Sequence, residues 1–496
     1  MTRALTCINS GLNCTFTTHC ICQGNNMNEI QDPLNHKFPP EIVSHIFTLF
    51  LPQVPPLHIR DKIQKEWTAP LFLGAICRKW RYIAWSTPRL WTTVVVHVSS
   101  RTAKQLGISL PQLVTEWLGR SGVLPLTIQF SAARLRERKL EEGYDEVKSL
   151  TCLIIDILNR HSERWKNMDL DFDVDTYTQK FHGSSELSNL RHLSFNDAVS
   201  GLDLPPWLTE IRPTYLTLLS FHLSFTRFNV SWNNITHIIL QYTDAITCVD
   251  VAKKAHRLQV FRLCAICTSP EEQIYVHRPS LRSLEFDEQS CPLPVPVAQI
   301  IDYMELPCLE EWSYMGKLWR IPLVSLLSLL DRSSCHLKVV KISALDPSCI
   351  DDFRAFLEAI PSLEHLSFSL GQSNSQSTLN NILDRLCNAP PSSTSTTESA
   401  SQLLPHMRTI DIGANSVPFS WNRVPAIFRS PNRGSLSMKF AFLNIHTERI
   451  EDVVAHQLVQ LVDEGRNLCI TSKGVKELDF IQELRECVVR SEWYEI

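Results

Sequence analysis

A spaced apolar pattern, apolar-x-x-apolar-x-apolar, recurs along most of the chain and predicts a series of short β-strands. Successive copies begin 19 to 28 residues apart, except for a last gap of 44. Fainter copies begin at Trp91, Val123 and Trp165. The clear copies begin at Leu190, Leu216, Ile235, Leu258, Leu281, Leu309, Leu337, Leu363 and Met407.

Helical periodicity fills the intervals, for example in the segments that start at Pro111, Val147 and Asp351. Strands that alternate with helices favour a parallel sheet with right-handed crossovers. Because one strand–helix unit cannot bury its apolar face alone, neighbouring units should stack into an irregular solenoid, or horseshoe. A doubly wound α/β sheet is the alternative, since it uses the same elements.

Three segments depart from the repeated pattern. Residues 390–402, "PPSSTSTTESASQ", lie in the long gap and predict a loop inserted into one repeat, because they hold no large apolar side chain. Residues 1–35 are polar and predict a disordered tail. Residues 475–493 have a helical pattern and predict a helix that caps the last repeat.

Two apolar helices are predicted before the repeats. Pro39 and Pro40 suit the start of the first helix, and Glu41 suits its positive end. The second helix should run from Pro70 to Thr87, with one apolar face formed by Leu73, Ile76, Cys77, Trp80 and Ala84. An ordinary amphipathic hairpin explains both helices. However, their apolar surface exceeds what one internal face requires, which indicates a partner.

The residues of these helices resemble an F-box. The match consists of Phe38-Pro39-x-Glu41-Ile42-Val43-x-x-Ile46-Phe47, then Cys77-Arg78-x-Trp80-Arg81-x-Ile83-Ala84 and Pro88-x-Leu90-Trp91. Two features depart from the family pattern: Phe38 replaces the usual leucine, and residues 52–68 are inserted between the helices. The whole chain resembles fungal F-box-domain-containing proteins with leucine-rich-repeat-like C-terminal regions. It would then comprise a tail (1–35), an F-box (36–91) and a leucine-rich-repeat-like solenoid (92–496).

The resemblance implies the substrate-recognition subunit of a Skp-cullin-F-box ubiquitin ligase. In that family the F-box docks on a Skp-type adaptor, and through it on a cullin, while the C-terminal domain binds a protein substrate. The resemblance does not separate adaptor contacts from internal packing. The alternative is a leucine-rich-repeat scaffold that acts outside ubiquitin ligation. The adaptor-facing candidates are Phe38, Pro39, Glu41, Ile42, Ile46, Cys77, Trp80, Pro88 and Leu90.

A substrate surface can be predicted from the repeated pattern. The residue between the second and third apolar positions should point away from the helices, towards the concave side. Asp169 and Asp171 should form an acidic patch for a basic segment there, and Arg262, Glu285 and Lys341 should also bind substrate. The residues at this position are Asp169, Ser194, Ser220, Ile239, Arg262, Glu285, Ser313, Lys341, Ser367 and Asp411.

Composition narrows the classes of function. The chain is 44% hydrophobic with a net charge of −4, which offers no general argument for nucleic-acid binding. No apolar run is long enough to predict a membrane helix. The sixteen cysteines are mostly isolated at apolar positions, which is typical of free thiols in the cytoplasm or nucleus.

Enzymatic motifs are missing from the sequence. It contains no phosphate-binding loop, HExxH, GxSxG or GxGxxG, so we expect neither catalysis nor a cofactor, and an enzyme hidden in the α/β region is the alternative. Residues 168–175, "MDLDFDVD", follow strand periodicity rather than a metal motif. The N-terminal group Cys7, Cys14, His19, Cys20 and Cys22 lacks the paired short spacings of a zinc site.

Overall fold

In the computed structural model, the chain forms two compact units, Met1–Ile235 and Thr236–Ile496. The tail (1–35), the insertion (52–68) and the low-complexity segment (390–402) lie outside the residues that the structure describes. The described residues are 37–51, 69–133, 143–172, 177–182, 189–196, 212–219, 231–266, 275–288, 297–316, 321–345, 350–370, 379–387, 403–414, 419–430, 433, 435–442, 450–473 and 477–485.

The first unit begins with a helical hairpin and continues with strands and helices in alternation. Its elements are α1 (Pro40–Leu49), α2 (Ala69–Ile76), α3 (Arg78–Trp85), a 3₁₀ turn (Pro88–Trp91), β1 (Thr93–Val98), α4 (Ser100–Leu106), α5 (Ser109–Arg120), β2 (Leu126–Ala132), α6 (Tyr144–Asn159), β3 (Trp165–Asp171), β4 (His192–Asn196) and β5 (Tyr215–Leu219).

The second unit continues the alternation. Its elements are β6 (His237–Gln241), α7 (Ala245–Lys254), β7 (Val260–Cys264), β8 (Val276–His277), β9 (Ser283–Asp287), α8 (Val297–Asp302), β10 (Met304–Glu305), β11 (Glu311–Met315), α9 (Leu323–Ser333), β12 (Val339–Leu345), α10 (Ile350–Ala359), β13 (His365–Leu370), α11 (Asn380–Leu386), β14 (Thr409–Ala414), α12 (Arg423–Arg429), β15 (Ser437–Phe442), α13 (Asp452–Asp463), β16 (Asn467–Lys473) and β17 (Glu477–Asp479).

Each unit contains a parallel sheet whose strands follow chain order. In the first unit, β1 to β5 pair in sequence. In the second, the order is β6-β7-β9-β11-β12-β13-β14-β15-β16, and β17 pairs with β16 in the antiparallel direction. A doubly wound sheet would reverse its strand order at a switch point, so this alternative does not fit either unit. The fold is mixed α/β and solenoid-like, as predicted.

In the longer strands of the parallel sheets, an apolar pair packs against the helices. In β11, Trp312 lies against Phe356 of α10, with ring centroids 6.4 Å apart. Phe353 of the same helix lies against Phe368 of β13 at 5.5 Å. Buried apolar pairs occupy the same register on neighbouring strands, so each repeat completes the core of the next.

Three predictions of the repeat pattern need correction. In β5 the buried pair is Leu216 and Leu218, so the outward position is Thr217 rather than Ser220, whose structure is not described. Two further repeats, β15 and β16, follow the last predicted copy. In the described part of the C-terminal segment, residues 477–485, strand β17 precedes a helical stretch at 480–485.

Arginines that are buried (Arg164, Arg433) or half-buried (Arg278, Arg332) join successive repeats. The Arg164 guanidinium donates through Nε to the Leu124 carbonyl (3.0 Å), and it also reaches the Leu118 carbonyl and the Ser121 hydroxyl. Other arginines contact earlier backbone carbonyls in the same way. These contacts are Arg278 to Ala252 and Lys253, Arg332 to Ile301 and Met304, and Arg433 to Leu403 and Leu404. Several of these carbonyls belong to last helical turns, which have no partner within the helix.

Arg164→Met should lower the free energy of unfolding by about 2–4 kcal/mol, because it leaves buried carbonyls without a donor. Arg160→Met is the matched control, since Arg160 is exposed at the end of α6. Thermal melting of the full chain measures both changes. Equal melting temperatures for the two variants would contradict the joining role of Arg164.

Candidate functional site

The helical hairpin, residues 37–51 and 69–91, is built from three helices instead of the predicted two. Cys77 has an extended backbone that ends α2, and its Sγ accepts a hydrogen bond from the Trp80 amide at 3.4 Å. Cys77 is therefore the N-cap of α3. This break turns Ile76 outwards, although the prediction placed it on the inner face of a continuous helix.

An internal core closes the hairpin. Phe47 of α1 contacts the Trp80 ring, with ring centroids 4.8 Å apart. Trp91 is buried, and its Nε1 donates to the Ala84 carbonyl at 2.8 Å. The buried apolar members of this core are Val43, Phe47, Leu73, Ile83, Ala84, Leu90 and Trp91. Side chains from all three helices and from the 3₁₀ turn thus meet in one core.

The outer surface of the hairpin nevertheless exposes many apolar side chains. Half of the large apolar side chains that the described residues leave exposed belong to the hairpin. We call this set the apolar patch; its members are Phe38, Ile42, Leu49, Phe50, Phe72, Ile76, Tyr82 and Trp85. So many large exposed apolar side chains in one short segment are unusual, whereas single exposed apolar residues are ordinary.

Aromatic contacts attach the hairpin to the first repeat. Trp91 packs edge-on against Trp117 of α5 at 4.7 Å, and Trp117 Nε1 donates to the Thr93 carbonyl at 3.0 Å. The Arg120 guanidinium lies over the rings of Trp85 and Trp91, at 4.5 and 4.8 Å from their centroids. The hairpin and the first repeat therefore share one continuous core.

The nine adaptor-facing candidates differ in the solvent exposure of their side chains. Phe38 and Ile42 are 42% and 45% exposed, and Pro39, Glu41 and Pro88 are exposed as well. Three candidates are half-buried: Ile46, Cys77 and Trp80.

Leu90 is the exception among these candidates. It is only 1% exposed and packs inside the hairpin core. We therefore correct its assignment from partner contact to internal packing. The short motif could not reveal this difference, because the burial depends on the 3₁₀ turn that folds residues 88–91 back onto α1.

The acidic patch predicted on β3 is wrong. Asp169 and Asp171 are 7% and 8% exposed. Both point away from the helices, as expected, but the polar row across β2 to β5 is buried in this unit. Its members in register with Asp169 are Gln129, Ser194 and Thr217. The polar side chains of this row thus point away from the helices without being exposed to solvent.

Arg262, Glu285 and Lys341 occupy one open row of the second unit. Arg262 is in register with Glu285, and Ser313 separates Glu285 from Lys341. Two strand spacings place Glu285 and Lys341 about 10 Å apart. Arg262 and Glu285 are half-buried, Lys341 is exposed and Ser313 is buried, so solvent reaches this row at its charged members.

Ion pairs organise the charges of this row. Arg262 lies between two carboxylates, with its Nε 3.4 Å from Glu285 and an Nη 3.2 Å from Asp287. Lys341 Nζ lies 2.6 Å from Glu311. Burial raises the pKa of Glu285, while the nearby Arg262 opposes that shift. Burial also raises the pKa of Cys264 to about 11, so its thiol is protonated at neutral pH.

The open row extends further than the sequence pattern indicated. Lys439 of β15 and Cys469 of β16 continue it in register after Asp411, and both are exposed. The pattern missed these strands because Ser435 and Gly465 stand where its first apolar residue should be. The apolar pairs of the two strands, Met438 with Phe440 and Leu468 with Ile470, were the available signal.

No protein-family model matches the sequence, and no curated protein is significantly similar to it. The described side chains form no group of three or more His, Cys, Asp or Glu residues that could hold a metal ion. The N-terminal Cys and His group lies outside the described residues. Within the described part of the chain, every helix is too short or too polar to cross a membrane.

Leu90→Ala should lower the free energy of unfolding by about 2–5 kcal/mol, because it leaves a cavity in the hairpin core. Ile42→Ala should change it by less than about 0.5 kcal/mol, because Ile42 is exposed on α1. Chemical denaturation followed by tryptophan fluorescence measures both variants. A costly Ile42→Ala together with a neutral Leu90→Ala would contradict the assignment of the two residues.

Proposed function

We propose that the chain is an F-box protein, the substrate receptor of a Skp-cullin-F-box ubiquitin ligase. Residues 36–91 form the F-box, and the strand–helix units that follow are leucine-rich-repeat-like repeats of an irregular horseshoe. In this proposal the receptor catalyses no reaction. It holds a protein substrate near the ubiquitin-loaded enzyme and so raises the effective concentration of substrate lysines.

One observation carries this proposal: the apolar patch remains exposed although the hairpin already has a closed core. Hairpins that serve only their own fold have no reason to expose aliphatic and aromatic side chains on all three helices. The exposed motif residues Phe38, Pro39 and Ile42 belong to the segment that resembles the start of an F-box. The patch therefore supports docking on a Skp-type adaptor.

Ile42→Asp should weaken binding of the purified Skp-type adaptor at least 30-fold, which corresponds to about 2 kcal/mol for a central interface residue. Val453→Asp is the matched control, because Val453 is also an exposed apolar residue but lies on α13. Biolayer interferometry with the full chain measures both variants.

Absence of adaptor binding by the unmodified chain, or equal binding by the two variants, would contradict the F-box assignment. Adaptor binding without recruitment of a cullin would favour a scaffold outside ubiquitin ligation. Size-exclusion chromatography with purified adaptor and cullin separates these two outcomes.

The open row of the second unit supports the second part of the proposal. Its alternating charges can pair with complementary groups of a protein substrate, whereas the polar row around Asp169 is buried. Charges at a partly exposed interface act more on encounter rate and specificity than on total affinity. We therefore place substrate recognition on the row that contains Arg262, Glu285 and Lys341.

Lys341→Glu should reduce substrate capture several-fold, because it places a third carboxylate beside Glu285 and Glu311. Lys253→Glu is the matched control on the opposite, helical layer. Proximity labelling under proteasome inhibition compares the proteins captured by each variant. Adaptor binding should stay unchanged in both variants, and an equal loss of labelling in both would refute this location.

A further inference from the structure

The hairpin is strongly basic in a chain that is acidic overall. Its described residues include five cations, Lys37, Arg78, Lys79, Arg81 and Arg89, against the single acid Glu41. All of these cations are exposed except Arg81, which is half-buried and donates to the Gly74 carbonyl at 2.7 Å. The surface around the apolar patch is therefore positive.

This charge is local. Residues 36–91 contain eight basic and three acidic residues, a formal charge of +5. The whole chain carries −4, so the remaining residues together carry −9. A chain that keeps its excess of cations on one short segment is polarised, and such asymmetry indicates an electrostatic partner for that segment.

The cations are interleaved with the apolar patch. Arg78 lies one helical turn before the exposed Tyr82 on α3, and Lys79 lies three residues before it. Lys37 directly precedes Phe38, and Arg89 follows the exposed Pro88. A partner that covers the patch must therefore bring groups that face these cations.

We propose that the docking partner of the hairpin has an apolar groove rimmed by carboxylates, and that the cations accelerate its association. This inference rests on the proposed function, because it names the chemistry of the adaptor surface that the F-box would contact. Complementary charges steer diffusional encounter and raise association rates by roughly ten- to a thousandfold at low salt. Aliphatic and aromatic contacts then limit dissociation.

An anionic membrane also attracts cations mixed with apolar residues, but the hairpin is a poor match for it. Membrane-surface segments bury one face of a single amphipathic helix. Here the exposed apolar residues come from three helices fixed by a common core, which gives a shaped surface rather than a flat stripe. The observations thus favour a protein groove.

The test compares association and dissociation rates of the full chain with the purified Skp-type adaptor, at about 50 mM and about 500 mM NaCl. The double variant Arg78→Glu, Lys79→Glu should associate at least tenfold more slowly at low salt and dissociate at nearly the same rate. High salt should remove most of the difference. Glutamates in the first turn of α3 favour that helix, so the variant should fold.

Two controls make the result specific. Lys253→Glu, Lys254→Glu introduces the same charge change on α7, and it should leave both rates nearly unchanged. Ile42→Ala should raise the dissociation rate equally at both salt concentrations, because it removes an apolar contact.

Each outcome separates this inference from the proposed function. Association that is insensitive to salt and to charge reversal, with binding retained, would overturn the inference and leave the F-box assignment standing. No adaptor binding by the unmodified chain would overturn the F-box assignment itself. Binding of the unmodified chain to phosphatidylserine vesicles, lost in the Arg78→Glu, Lys79→Glu variant, would show that the cations serve a membrane and would overturn the inference.

Discussion

The fold depends on one constraint, which is that each strand must place two apolar side chains on the helices in register with its neighbours. In the second unit, Leu284 and Phe286 of β9 stand beside Trp312 and Tyr314 of β11. A shift of one residue would turn every such pair towards the open face. Because each strand buries its apolar side chains against the neighbouring repeat, no repeat of this kind is stable alone.

Charges at the strand starts reinforce this register. The residues that precede β9, β11, β12, β13 and β14 alternate in sign: Arg282, Glu310, Lys338, Glu364 and Arg408. Neighbouring members pair at 3.8 Å (Arg282 and Glu310), 3.2 Å (Glu310 and Lys338) and 3.1 Å (Glu364 and Arg408). Such exposed pairs add little stability singly. Loss of one repeat, however, would place like charges side by side, so the alternation favours one strand order.

The sequence predicted best those structural features that depend only on residues close together along the chain. The apolar pairs of β6, β7 and β9 could be predicted, because alternation in a short segment follows directly from strand geometry. Burial of Asp169 could not be predicted, since it depends on what covers the polar row of β2 to β5. The break at Cys77 was also hidden, because helical spacing continues through it and only the backbone angles reveal the N-cap. Likewise, the burial of Leu90 required the path of the chain after Pro88.

The hairpin differs from the repeats in what its apolar side chains pack against. A repeat buries its apolar pair against a neighbouring repeat. The inner residues of the hairpin instead pack against one another and against Trp117 of the first repeat. The apolar patch consists of side chains that take part neither in the hairpin core nor in the contact with Trp117. Arg120 and Trp117 of α5 contact Trp91 and so attach the end of the hairpin to the first repeat. A partner that binds the patch therefore meets a preformed surface and loses little free energy to ordering it.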